Sequence, residues 1–126
     1  MQVGLLDEEY FISGEIADFC LRACHQGYHP LIDPSVTVYH DTGRSSELRV
    51  AFYTYYFLRN RFLFVRKFCP RLRWLLVSRW TLFGLMSVIM SWLRGNPRRA
   101  RALLLGLRHG LSGQFGDRSA EVLALK

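Results

Sequence analysis

Lysine is scarce in this sequence: Lys67 and Lys126 are the only two among seventeen basic residues, the rest being arginine. The densest bases also border the most apolar stretch instead of forming a solvated face, and together these features count against a nucleic-acid-binding module. Cysteine is nearly as sparse. Cys20, Cys24 and Cys69 are odd in number and have no C-x-x-C spacing, which points to reduced thiols in a cytosolic setting and away from a disulfide framework or a zinc site. No basic stretch precedes an apolar run at the N-terminus, so a cleaved signal peptide is not expected. Acids are almost missing from the second two thirds, where only Glu47, Asp117 and Glu121 occur.

What is present divides sharply by charge. Residues 1–43 hold seven acids against Arg22 alone, whereas residues 44–126 hold sixteen bases against three acids, so a net charge of +7 conceals two environments. At 126 residues, half of them apolar, the chain has room for one modest core.

The stretch GEIADFCLRACHQGY, residues 14–28, reads as a helix. At about 100° per residue, Ile16, Cys20 and Ala23 share one face with Phe19 at its margin, and Glu15, Asp18 and Arg22 gather on another. Ser13 is placed to cap its start, Glu15 lies in the first turn where backbone N–H groups favour an anion, and Gly27 is placed to stop it. Beyond Pro34, the alternation of VTVYH predicts a short strand ending at His40. The following DTGRSS is turn chemistry, with Arg44 and two serines able to face an anion. An acidic helix start, a strand ending in histidine and a basic Gly/Ser loop suit a site where a phosphorylated or metal-bound ligand meets a general base.

Residues 4–46, GLLDEEYFISGEIADFCLRACHQGYHPLIDPSVTVYHDTGRSS, resemble the C-terminal part of the catalytic domain of family 2 glycosyltransferases, inverting enzymes of the GT-A fold. The shared features are a Gly and Asp-Glu before two aromatics, an acidic helix start, a Leu-Arg pair (Leu21, Arg22) where the family has Leu-x-x-Arg, a Gly-Tyr turn, and a His before a Gly/Ser loop. YYFLRNRFLFVRKF, residues 55–68, is similar to the Tyr-Tyr and Arg-Asn-Arg helix that follows this domain in many bacterial rhamnosyl- and polysaccharide-type members, and ALLLGLRHGLSGQFG, residues 102–116, to their tail.

The resemblance implies roles. In the family, the acidic helix start supplies the base that takes the acceptor hydroxyl's proton while the oxygen displaces the nucleotide in one inverting step. Where most members have Glu-Asp, this chain has Glu15 followed by Ile16. Three alternatives follow: Glu15 serves as base, Asp18 does, or the base is missing; Glu15 is favoured. His40 matches a position near the metal and diphosphate, and Arg22 and Arg44 are candidates to neutralise the leaving diphosphate. A divalent Mg or Mn ion is expected in the complete enzyme. So are a nucleotide-sugar donor and a lipid-linked or polysaccharide acceptor. No Asp-x-Asp and no repeated βα pattern precedes residue 14, so the nucleotide-binding half is not in this sequence, and the chain on its own is expected to be inactive.

The basic region has its own logic. In residues 47–68, Leu48, Phe52, Tyr55, Arg59 and Phe62 fall near one helical face, with Arg49, Asn60, Arg61, Arg66 and Lys67 at its polar edges. Residues 74–93 contain Arg79 as their only charge and as a helix would reach about 30 Å, the thickness of a bilayer core. Trp74, Trp80 and Trp92 suit membrane interfaces. Basic clusters on both sides select no orientation for a span, and a helical pair lying in the cytoplasmic interface, with its bases against anionic lipid, is favoured over a span or a buried helix. A further amphipathic helix is expected to end near Gly110. The overall expectation is an α/β segment, helix plus short strand, at 1–46 forming the C-terminal portion of a GT-A domain. An all-α, membrane-associated region at 47–126 follows it. The alternative is a small basic membrane-associated interaction protein without catalysis.

Overall fold

A computed structural model describes residues 3–39 and 47–125. Its regular structure consists of α1 (Glu15–His25), α2 (Glu47–Phe68), α3 (Arg73–Leu93), α4 (Pro97–Ser112) and α5 (Ser119–Leu123). The α/β expectation is therefore corrected: among the described residues the chain is helical, with no strand. Residues 36–39 run as irregular chain with Val38 83% exposed, and His40 lies outside the described residues. A period-2 pattern becomes a strand only when a neighbouring strand supplies ladder partners, and no described segment lies beside this one to do so.

Local chemistry sets the helix ends. Residue 69 precedes Pro70, which disfavours continuing α2. A left-handed Gly95 turns the chain after α3, with the Gly95 amide donating to the Trp92 carbonyl (3.0 Å) and the Asn96 amide to that of Ser91 (2.9 Å). Asn96 then caps α4, its side chain accepting from the Arg99 amide at 3.0 Å, with Pro97 in the first turn. Helix α4 continues to Ser112, two residues past the expected end. At α1 the cap is Gly14 rather than Ser13, and no side chain bonds the free amides there. Its far end is closed by Gly27 as expected, through Gly27 to Cys24 and Tyr28 to Ala23 amide–carbonyl bonds.

Helices α2, α3 and α4 form a bundle with α5 packed on α2. One apolar cluster joins Leu58 and Phe62 of α2 to Val88 of α3 and Ala100, Leu103 and Leu107 of α4, with Val77 and Trp80 against it. A second joins Ala51, Tyr55 and Tyr56 to Ala102 and Val122. Close approach depends on small residues: a Cβ on Gly106 would lie 3.0 Å from the Tyr55 carbonyl oxygen, and one on Gly84 2.6 Å from a Leu107 methyl. Helix α1 is fastened to α2 by long side chains and buries part of each face: Ala23 of the apolar face and Asp18 of the charged face are buried, while Ile16 is exposed.

One buried polar relay crosses the bundle. The Tyr55 hydroxyl and His109 Nδ1 share a 2.6 Å hydrogen bond, and His109 Nε2 stands 3.5 Å from Glu121. Burial lowers the His109 pKa; Glu121 opposes this, while Arg118, Arg108 and Arg59 reinforce it. A base whose pKa is depressed on folding binds fewer protons when folded, so its stabilisation is complete above its unfolded value of about 6.5 and is lost as pH falls through it. Thermal unfolding measured between about pH 7.5 and 5.5 should show the melting temperature falling with acidification, and His109→Gln should flatten that slope. Parallel slopes in the two proteins would exclude His109 as the origin.

Candidate functional site

The sequence before α1 forms an acidic loop, residues 7–13, folded against α2. Phe11 and Ser13 both adopt positive φ, 60° and 69°, a conformation that costs non-glycine residues energy and persists only when the surroundings hold it. Arg59 and Asn60 hold it. The Arg59 guanidinium donates to the carbonyls of Glu9 (3.0 Å), Tyr10 (2.9 Å) and Gly116 (2.6 Å), and through Nε to Asn60 Oδ1 (2.9 Å). Asn60 Nδ2 reaches the carbonyls of Tyr10, Ile12 and Ser13 at 2.6–3.0 Å. Among the described residues Arg59 forms no ion pair with a carboxylate. Carbonyl dipoles and the Tyr55, Tyr56 and Phe115 rings, 4.6–5.8 Å from it, surround its charge, and burial lowers its pKa. The Gly116 amide closes the arrangement by donating to the Glu9 carbonyl at 2.8 Å.

This clamp creates a cleft. An open hollow of about 520 Å³ lies between the acidic loop, the first turn of α1 and residues 115–117, and its lining includes Asp7, Glu8, Glu9, Glu15 and Asp117 with the rings of Phe11 and Phe115. Two of its carboxylates are engaged. Partial burial works to raise Asp7, but the Lys67 ammonium at 2.7 Å, the Glu9 amide and Arg22 outweigh it and hold the carboxyl below its usual range. Asp117 is lowered by the Ser119 hydroxyl and amide. Glu15 differs: its Oε2 is buried and has no hydrogen-bond partner. It is the first residue of α1, at the edge of the cleft.

The other sequence candidates are placed elsewhere. Asp18 lies outside the cleft lining, its two oxygens taken by Arg22 (Nε, 2.7 Å) and by Lys67. Arg22 is occupied in turn, donating to the Val3 and Leu5 carbonyls (the latter at 2.7 Å) as well as to Asp18. Burial and the neighbouring Asp18 carboxylate push the Tyr10 phenol far above the usual tyrosine range. Asp18, Arg22 and Lys67 thus form a structural ion cluster that seats α1. His40 and Arg44 lie outside the described residues. Arg59 and Asn60 were not read as site-forming from sequence, although the Arg-Asn-Arg run that contains them was conspicuous. Among the described residues no three His, Cys, Asp or Glu side chains come together to hold one metal ion.

Compared with protein-family models, curated proteins and solved structures, the chain matches none.

Proposed function

We propose that this chain contributes the acceptor-side wall of a membrane-associated inverting glycosyltransferase resembling family 2, with Glu15 as general base. The observation that carries this reading is the partnerless, buried carboxylate oxygen of Glu15 at a helix start beside an open cleft. Both oxygens of Asp18 are taken by cations, whereas the Glu15 Oε2 keeps its lone pairs for an incoming hydroxyl. The rest of the lining suits a sugar. Carboxylates accept hydrogen bonds from hydroxyls, and the Phe11 and Phe115 rings offer apolar faces to a pyranose. In the step itself Glu15 takes the acceptor hydroxyl's proton, the oxygen forms a bond to the anomeric carbon of a nucleotide-sugar, and the bond from that carbon to the diphosphate breaks. The nucleoside diphosphate departs with the electron pair.

The test uses the chain together with a nucleotide-sugar-binding half, following nucleoside diphosphate release with a panel of nucleotide-sugars and a lipid-linked acceptor. Glu15→Gln is expected to lower turnover by about 10² with donor affinity and stability unchanged. Asp18→Asn should instead destabilise the fold by about 2 kcal/mol or more, because it leaves Lys67 and Arg22 facing a neutral group. Loss of turnover in Asp18→Asn with stability intact would move the base to Asp18. Silence of both variants would favour the interaction-protein reading.

A further inference from the structure

We infer that α3 and α4 form a monotopic anchor that lies flat on an anionic bilayer, the outward face of α3 immersed at the interface and the arginines of both helices meeting lipid phosphate. This builds on the membrane attachment proposed above and is independent of the sugar chemistry. Helix α3 turns Val77, Gly84, Val88 and Ser91 toward the bundle. On its other side Trp74, Leu75, Leu82, Ile89, Trp92 and Leu93 are exposed, Leu82 to 64% and Trp74 to 76%. At about 100° per residue these six fall within a sector about 100° wide, a continuous apolar strip along a helix of 21 residues, with tryptophans near its two ends. Arg79 flanks the strip rather than interrupting it, and its long stem allows the guanidinium to reach the headgroup level.

Charge identifies the occupant. Residues 73–112 contain seven arginines and no Asp or Glu. Arg94, Arg98 and Arg99 cluster at the turn of the hairpin, Arg101 stacks on Trp92 at 6.0 Å, and Arg108 is exposed on α4. An apolar strip edged only by cations is complementary to a surface that is greasy inside and anionic outside, and each base near such a surface strengthens partitioning by about fivefold. A second copy on the same face would bring like charges together along its whole length.

The same packing argues against a span. By length and composition α3 qualifies, but it is not free to leave. Helix α4 runs antiparallel along it with Gly84 seated on Leu107, and α2 holds it through Arg61 stacked on Trp80 at 5.2 Å. Carrying α3 through a bilayer would draw Arg108, exposed on the α4 that packs along it, toward hydrocarbon depth. Flat on the surface, every arginine stays at headgroup level.

The full chain is floated with vesicles of phosphatidylcholine alone or mixed with phosphatidylglycerol. Binding is expected only to the mixed vesicles, reversed by high salt and by carbonate. Leu82→Asp and Leu75→Asp, both at exposed positions, should each lower partitioning at least tenfold with helicity unchanged by circular dichroism, and Arg101→Glu with Arg108→Glu should do the same. In single-tryptophan variants, brominated lipid should quench Trp92 strongly and Trp80, which packs against the bundle, weakly. Carbonate-resistant binding would replace the flat anchor with a span. Equal binding to neutral vesicles, no binding to either, or a stable dimer that Leu82→Asp dissociates would overturn the inference. Glu15→Gln should float like the parent chain, so normal flotation with no Glu15 effect on turnover would remove the sugar-transfer reading alone.

Discussion

Replacing Arg59 with Met should destabilise the protein by about 3–5 kcal/mol, seen as a shift of the urea midpoint, because a fully buried donor set disappears while its acceptors remain. Methionine keeps much of the volume and the apolar stem. What it cannot do is donate to the Gly116 carbonyl or supply the charged donors to the Glu9 and Tyr10 carbonyls, which would keep only the Gly116 amide and Asn60, in a space walled by Tyr55, Tyr56 and Phe115. Arg59→Lys should recover little, since one ammonium lacks the planar fork that reaches Gly116 on one arm and the acidic loop on the other. The effect should also be strongly non-additive with Asn60→Ala, because the two side chains are bonded to each other and share the Tyr10 carbonyl. A cost below about 1 kcal/mol, with additive double mutants, would mean that water replaces the clamp freely and that the acidic loop is not held by it.

A second large effect is expected where the ordinary rule has the opposite sign. Glycine inside a helix usually weakens it by about 0.5–1 kcal/mol relative to alanine, so Gly110→Ala in α4 would ordinarily stabilise. Here a Cβ at 110 would lie 2.3 Å from Cδ2 of the Phe62 ring and 2.8 Å from its Cγ. Phe62 is buried in the main cluster, and a ring atom next to its own Cβ cannot swing aside as a methyl at the end of a leucine can. Overpacking of this kind costs about 1–3 kcal/mol or more, and Gly110→Ala should lower stability by at least that much in calorimetric or denaturant unfolding. Pairing it with Phe62→Leu should restore part of the loss. Stabilisation by Gly110→Ala alone would contradict the close approach of α2 and α4.

The helices of the basic region were readable because they announce themselves in one dimension. Periodic aromatics define α2, Pro70 and Gly95 punctuate it and α3, and the apolar run of α3 has the length of its helix. The strand at 36–40 was legible as a pattern but not as an outcome, because its realisation depends on neighbours that a local pattern does not contain. Helix α1 failed differently. Its charged face was assigned to a catalytic site as a whole, yet Lys67, forty-nine residues beyond Asp18, takes Asp18 into an ion cluster and leaves Glu15 alone beside the cleft. At the site, Glu15 was singled out in advance through a family resemblance, and the structure places it in the lining of a cleft. Arg59 and Asn60 were unreadable as a clamp because their acceptors are backbone carbonyls, which every residue carries and no sequence pattern marks.

The clamp also bears on the order in which the chain assembles. Arg59 ties the Glu9 and Tyr10 carbonyls to that of Gly116, and the Gly116 amide bonds Glu9 directly, so the cleft is walled by segments from almost opposite ends of the described sequence. Such contacts return nothing until a loop of nearly the whole chain has closed, whereas the α3–α4 hairpin needs only the turn at Gly95 and Asn96. The acidic cleft is accordingly a late product of folding. A nascent or partly unfolded chain can thus hold the arginines of the α3–α4 hairpin in place before the cleft has walls.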